Sequence, residues 1–153
     1  MGNRGLLSAF YLKILHEAGQ YFQKKKIGQV FLAAPDVNTE EFKKQVAGIV
    51  QVSERVTLYT TKQDFALWAS HKLVHKYQRA GTAPPFTIVD GVDTIHIPLV
   101  NCREDIFRHA YFAKMAPVLY DMDSLIRSNL PPHNRLCLRP MTADGQAYWE
   151  FTQ

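Results

Sequence analysis

A stretch of ten residues in the middle of the chain, RVTLYTTKQD from Arg55 to Asp64, constrains the fold more than any other. Val56, Leu58 and Tyr59 give it the apolar, β-branched and aromatic character of a buried strand, and polar residues close it. A run of this kind, followed by a helical pattern, is typical of a parallel strand in an α/β sheet. Such sheets carry their chemistry at the carboxyl ends of the strands. Asp64 is therefore a candidate functional residue; capping of the helix that starts at Phe65 is its alternative role.

The composition indicates one globular domain. Of the 153 residues, 46% are hydrophobic, which is enough to bury a core of ordinary size. The net charge is +4, but the basic residues are scattered apart from the triplet Lys24, Lys25 and Lys26, so we expect no nucleic-acid partner. The sequence contains neither a membrane-spanning run nor a secretory signal, and we expect a cytoplasmic protein as written. That expectation leaves open an export signal on a longer chain.

The order of predicted elements alternates between helix and strand. Apolar runs predict strands at 29–36, 55–61 and 93–100, and helical spacing predicts helices at 6–19, 38–50, 65–77 and 117–130. This order predicts an α/β fold with three parallel strands and covering helices. Residues 1–130 then form the main portion, and 131–153 form a tail or a hairpin around the turn Asp144-Gly145.

The carboxylate after one strand and the histidine after the next suggest acyl-transfer chemistry. Asp64 and His109 have the chain order of the acid and the base in α/β-hydrolases, in which the serine comes first. The histidine takes the proton of the serine hydroxyl, and the acid fixes the tautomer of the histidine. Asp36 is the alternative acid, because it is also predicted at a strand end on the same sheet edge; it also fits a loop-capping role before Asn38.

Several separated motifs resemble one protein family. They are MGNRGLL, VFLAAPDV, RVTLYTTKQDFAL, QRAG, VDTIHI and RHAYF. In this order and spacing they resemble the C-terminal part of an uncharacterised bacterial alpha/beta-hydrolase family whose nucleophile elbow reads His-Ser-Met-Gly-Asn-Arg. The resemblance covers residues 1 to about 125. It implies a partial alpha/beta-hydrolase fold and the hydrolysis of acyl esters by a Ser-Asp-His triad.

The resemblance also implies the role of each matching residue. Asp64 matches the triad acid, His109 matches the base, and Met1 and Gly2 match the two residues that follow the nucleophile. The serine would precede Met1 and is absent from this chain. The backbone N–H after the nucleophile helps to form the oxyanion hole, and without the nucleophile there is no acyl-enzyme route. We therefore expect the chain alone to be inactive, with a small acyl ester as substrate once the missing N-terminal half completes the site.

Other reactive side chains give weaker patterns. Cys102 and Ser70 are substitute nucleophiles only if the fold brings them to His109. His71 and His75 make half of a metal-binding pattern, with no third ligand that the sequence suggests, so we expect no metal and no cofactor.

The alternative to a hydrolase is a non-catalytic remnant or a partner-binding module. In the complete fold the strand at 29–36 pairs with the strand that carries the serine, so here one of its edges is open. This predicts self-association through that edge.

Overall fold

The computed structural model describes residues 14, 17, 27–62, 77–98 and 116–152. These residues form a mixed, mainly parallel sheet of six strands in the order β1-β2-β4-β6-β5, with the short β3 paired to the end of β2. The strands are β1 (Ile27–Ala33), β2 (Ser53–Lys62), β3 (Thr82–Ala83), β4 (Val92–Ile97), β5 (Leu138–Ala143) and β6 (Gln146–Phe151).

Two helices cover the described sheet, α1 (Thr39–Val52) and α2 (Ala116–Ser128), and a 3-10 turn follows at Pro132–Asn134. The side chain of Asn38 caps α1, since its Oδ1 accepts hydrogen bonds from the N–H groups of Glu40 (2.8 Å) and Glu41 (3.2 Å). The helix therefore begins at the start of the predicted range 38–50. Neither helix is long and apolar enough to cross a bilayer.

The strands β1, β2 and β4 confirm the predicted parallel sheet. β2 pairs in parallel with β1 on one side, where Leu32 lies opposite Leu58, and with β4 on the other, where Ile95 lies opposite Tyr59. The predicted C-terminal hairpin is also present: β5 and β6 pair antiparallel around Asp144 and Gly145, both with positive φ (49° and 75°). β6 pairs in parallel with β4, so the hairpin extends the same sheet.

Side chains alternate between the two faces of the sheet and build two separate cores. The core under α1 joins Phe42, Val46 and Ile49 of the helix to Val56 and Leu58 of β2. The core under α2 is built from Tyr59, Ile95, Ile97, Val118 and Phe151. Odd-numbered positions of β2 and β4 therefore face α2, and even-numbered positions face α1.

Several predicted boundaries differ from the observed ones, for local backbone reasons. β1 ends at Ala33 because Ala34 has a positive φ of 40°, so Asp36 lies beyond the strand instead of closing it. α2 ends at Ser128 because Asn129 has a φ of 46°. The predicted loop RAGTAPP contains β3. Ile14 and Glu17 are helical, as predicted, and the rest of the 6–19 helix and most of the 65–77 helix lie outside the described residues.

Candidate functional site

The carboxyl ends of β1, β2 and β4 meet at one edge of the sheet, because the three strands are parallel. Thr61 and Ile97 are register partners, so β2 and β4 end side by side. Asp64 comes shortly after the end of β2, and His109 belongs to the segment after β4. Both candidates lie outside the described residues, and their assignment stays a prediction. The same holds for Met1 and Gly2.

The described frame holds the end of β2 from both sides. β1 stops opposite Tyr59, and beyond that point β3 continues the pairing, with Thr82 opposite Thr61. The N–H of Thr61 donates to the carbonyl of Gly81 (3.1 Å). On the other side, Ile97 pairs with Thr61. The carboxyl end of β2, two residues before Asp64 in the sequence, is therefore paired on both sides.

Asp36 braces the loop that carries β3. Its Oδ1 accepts from Nε of Arg79 at 3.0 Å, in an ion pair where the Asp36 side chain is 49% exposed. Backbone hydrogen bonds run alongside, from Ala80 N to Val37 O (2.9 Å) and from Gly81 N to Pro35 O (3.1 Å). A Cβ on Gly81 would lie 2.2 Å from the carbonyl carbon of Ala34, so only glycine permits this close approach. Asp36 therefore joins the loop that carries β3, and its role as the alternative acid stays a prediction.

His96 is a buried histidine close to the same edge, on the face of the sheet that α1 covers. On β4 its side chain points to the face of the sheet away from Ile95 and Ile97, because neighbouring residues of a strand alternate between the two faces. Its ring meets Phe86 edge-on, with centroids 5.3 Å apart, and its Nδ1 lies 3.4 Å from Oγ1 of Thr60. Burial lowers the pKa of His96, and nearby Lys62 lowers it further, whereas Glu150 opposes the shift.

The lowered pKa of His96 makes folding sensitive to pH. The folded state keeps the His96 ring neutral, whereas the ring binds a proton in the unfolded chain below about pH 6.5. The contribution of the neutral ring to the free energy of unfolding is therefore complete above that pH and is lost as the pH falls below it. We expect His96→Gln to show a smaller drop in the urea midpoint than the wild type between pH 7.5 and 5.5. His133→Gln, at an exposed position, should reproduce the wild-type drop. Equal drops for His96→Gln and the wild type would contradict this assignment.

A groove of about 480 Å³ lies at the carboxyl ends of β4 and β6. Its walls include the ion pair between Arg139 and Glu150, together with Pro98 and Thr152. Charged and hydroxyl groups of this kind suit the polar part of a ligand better than an acyl chain.

An ion network under α2 was not predicted from the sequence. Tyr59 donates to Oδ2 of Asp121 (2.6 Å), which also accepts from Arg135 Nη1 (3.1 Å). Arg135 Nη2 and Arg55 Nη1 both donate to Oδ2 of Asp93, at 3.0 and 2.8 Å. Burial raises the pKa of the Asp121 carboxyl, and the hydrogen bonds from Tyr59 and Arg135 oppose that shift. Burial and the neighbouring Asp121 likewise raise the pKa of Tyr59.

A sequence signal for this network does exist. Asp121 sits between Val118 and Leu125 at spacings of three and four residues, within the buried row of the helix. A carboxylate in such a row needs a buried partner. Since Asp121 packs against the middle of the sheet, the network fastens α2 to the strands and does not belong to the carboxyl edge.

Comparison with known proteins agrees with this architecture. No curated protein and no solved structure matches the sequence. A sequence model of the family described as alpha/beta hydrolase of unknown function (DUF900) matches residues 1–128. Because this match covers most of the chain, the protein belongs to that alpha/beta-hydrolase family.

Proposed function

We propose that this chain supplies the acid and the base of a serine hydrolase that acts on acyl esters, with Asp64 as the acid and His109 as the base. The observation that carries the proposal is the pairing of Thr61 with Ile97. The segments that lead to the two residues start from neighbouring points, since paired strands lie about 4.8 Å apart. Family membership supports a hydrolytic reaction.

The proposed reaction needs a serine hydroxyl at the same edge. His109 accepts the hydroxyl proton while the serine oxygen bonds to the ester carbon; the ester C–O bond then breaks, and the proton passes to the leaving alcohol. Water hydrolyses the acyl-enzyme with the same base. Asp64 holds the imidazole in the required tautomer. In the family's elbow pattern the serine precedes the residue that Met1 matches, so we assign it to polypeptide on the N-terminal side of residue 1.

A fluorophosphonate probe tests this assignment. The coding sequence upstream of Met1 is extended in frame to include the expected His-Ser, and the longer protein and the 153-residue chain are treated in parallel. We expect label on the serine of the longer protein and none on the shorter chain. The matched control is a serine-to-alanine variant of the longer protein. Active-site labelling of the 153-residue chain would contradict the proposed origin of the nucleophile.

The alternative, a partner-binding module, is favoured by a different observation. β1 is an edge strand of the described sheet, and its sequence, IGQVFLA, has neither the charge nor the proline that usually protects an edge. The two ends of this strand, Ile27 and Ala33, pair only with β2 within the described part of the chain. An open edge of this kind pairs readily with another strand.

The helix α2, which ends beside this edge, carries an exposed apolar stripe. Leu119 and Ile126 are 45% and 67% exposed and share one stripe of the helix. Asn129, directly after this helix, accepts a hydrogen bond from Gln29 of β1 (2.8 Å), so the C-terminal end of α2 lies beside the open edge. A two-fold axis normal to the sheet would pair β1 with β1 and place both α2 helices on one face. We therefore propose a second copy of the chain as the partner.

Light scattering coupled to size-exclusion chromatography measures this association. We expect a dimer for the wild type and a shift to monomer for Ile126→Lys, because a lysine on the stripe must be desolvated at the contact. Tyr120→Lys is the matched control: Tyr120 is 57% exposed on the same helix but lies outside the stripe. A monodisperse wild-type monomer, or an equal response to both substitutions, would contradict the proposal.

A further inference from the structure

The buried ion network forms an arc that begins and ends on β2. It runs from Arg55 to Asp93, then to Arg135, then to Asp121, and returns to the strand at Tyr59. The side chains of Asp121 and Arg135 are 1% and 0% exposed, so bulk water does not reach them. On this face of β2, residue 57 is the one position between Arg55 and Tyr59, and the arc passes over it.

Thr57 occupies that position. It lies on the same face of β2 as Arg55 and Tyr59, is fully buried and has Asp93 as its register partner on β4. Among the residues that the structure describes, its Oγ1 has no hydrogen-bond partner. The same holds for two buried atoms of the arc, Oδ1 of Asp121 and Nε of Arg135. Three unpaired polar atoms thus belong to one buried group of side chains.

Three buried polar atoms without partners are unfavourable for folding unless a further group forms hydrogen bonds with them. Buried polar groups in folded proteins are nearly always paired, and an unsatisfied charged group is among the costliest exceptions. The three atoms offer complementary chemistry: Nε is a donor, the carboxylate oxygen of Asp121 is an acceptor, and the hydroxyl of Thr57 is either.

We propose that a single buried water molecule occupies the space under the arc and joins these three atoms. It accepts from Nε of Arg135, donates to Oδ1 of Asp121 and makes its third hydrogen bond with the hydroxyl of Thr57. Three partners is the usual number for a buried water. An ion fits less well, because the two guanidinium groups and the two carboxylates of the arc already balance each other in charge.

The water adds a second link between the sheet and α2, beside the direct hydrogen bond from Tyr59 to Asp121. Without it, Asp121 and Arg135 meet through one oxygen and one nitrogen only. With it, the second carboxylate oxygen and the third guanidinium nitrogen are joined to β2 through Thr57. This role is independent of the proposed hydrolase activity.

Magnetic relaxation dispersion of water oxygen-17 counts long-lived internal waters and tests the site directly. We expect the wild-type chain to show a larger dispersion than Thr57→Val, which keeps the side-chain shape but removes the hydroxyl. The matched control is Thr87→Val. Thr87 is also fully buried with an unpaired Oγ1, but it lies outside the arc, so its replacement should leave the dispersion unchanged.

The same pair of variants gives a stability readout. We expect Thr57→Val to lower the urea midpoint, because it removes a partner of the water, and Thr87→Val to leave the midpoint unchanged or to raise it. If Thr57→Val does not fold, a high-resolution crystal structure of the wild-type chain decides the matter through the density between the three atoms. Empty density there, or a wild-type dispersion no larger than that of Thr57→Val, would overturn the proposal.

Discussion

Asp64→Asn is expected to lower kcat for an acyl ester by about 10⁴-fold in the longer protein that carries the serine, because an amide in place of the acid holds the histidine in the wrong tautomer. A loss of that size corresponds to about 5.4 kcal/mol of transition-state stabilisation. The measurement is steady-state hydrolysis of a chromogenic short-chain ester, with the circular dichroism spectrum as a check that the variant folds. His109→Ala should cause a loss at least as large, since it removes the proposed base.

Asp36→Asn is the matched control for this experiment. Asp36 follows β1 at the same edge of the sheet, but it pairs with Arg79 and is half exposed. Its neutralisation should leave kcat within a few-fold of the wild type, because a partly exposed ion pair contributes little to stability. If instead Asp36→Asn abolishes hydrolysis while Asp64→Asn does not, the two carboxylates have been assigned the wrong way round.

Arg135→Ala is expected to cost about 3–5 kcal/mol of unfolding free energy, because it leaves Asp121 as a buried charge without its cation. Total stabilities of domains lie at about 5–15 kcal/mol, so this single change removes a large part of the margin. Urea denaturation followed by tryptophan fluorescence measures the loss. Trp149 lies against the core under α2 and should report it.

Two comparisons separate this effect from a general loss of charge. Arg127→Ala breaks the exposed ion pair with Asp123 on the same helix and should change the urea midpoint little. Replacing Tyr59, Asp121 and Arg135 together by Phe, Leu and Met should recover most of the loss, because no uncompensated charge remains and Asp93 keeps Arg55. Similar losses for Arg127→Ala and Arg135→Ala would contradict this account.

Much of the fold was predictable from local sequence patterns. The apolar run around Leu58 predicted a parallel strand, helical spacing predicted a helix from residue 38, and Asp144-Gly145 predicted the hairpin turn. Each of these features depends on residues close together in the chain, so a pattern of a few residues was enough to indicate it.

Features that depend on distant pairs were not predictable in this way. β3 is two residues long and exists only because β2 extends beyond the end of β1. The pairing of β6 with β4 leaves no mark on either strand alone. Arg135 comes from the turn after α2 and meets Asp93 across 42 positions of sequence, and no local periodicity encodes that contact. Asp64 and His109 stay predictions that rest on chain order, family resemblance and the frame that the described strands provide.

The two outer strands of the described sheet, β5 and β1, differ in how readily each accepts a further strand. This difference decides where a tag can be attached to the protein. At the far margin, β5 displays Pro140, which lacks an N–H, and Arg139, which is held by Glu150; both features discourage a further strand. The strand β1 has neither a proline nor a charged residue that would discourage pairing. Lengthening of the sheet by any additional polypeptide should therefore proceed in one direction only. A reporter or affinity handle attached near the hairpin should be tolerated, whereas the same attachment beside β1 should compete with whatever docks there.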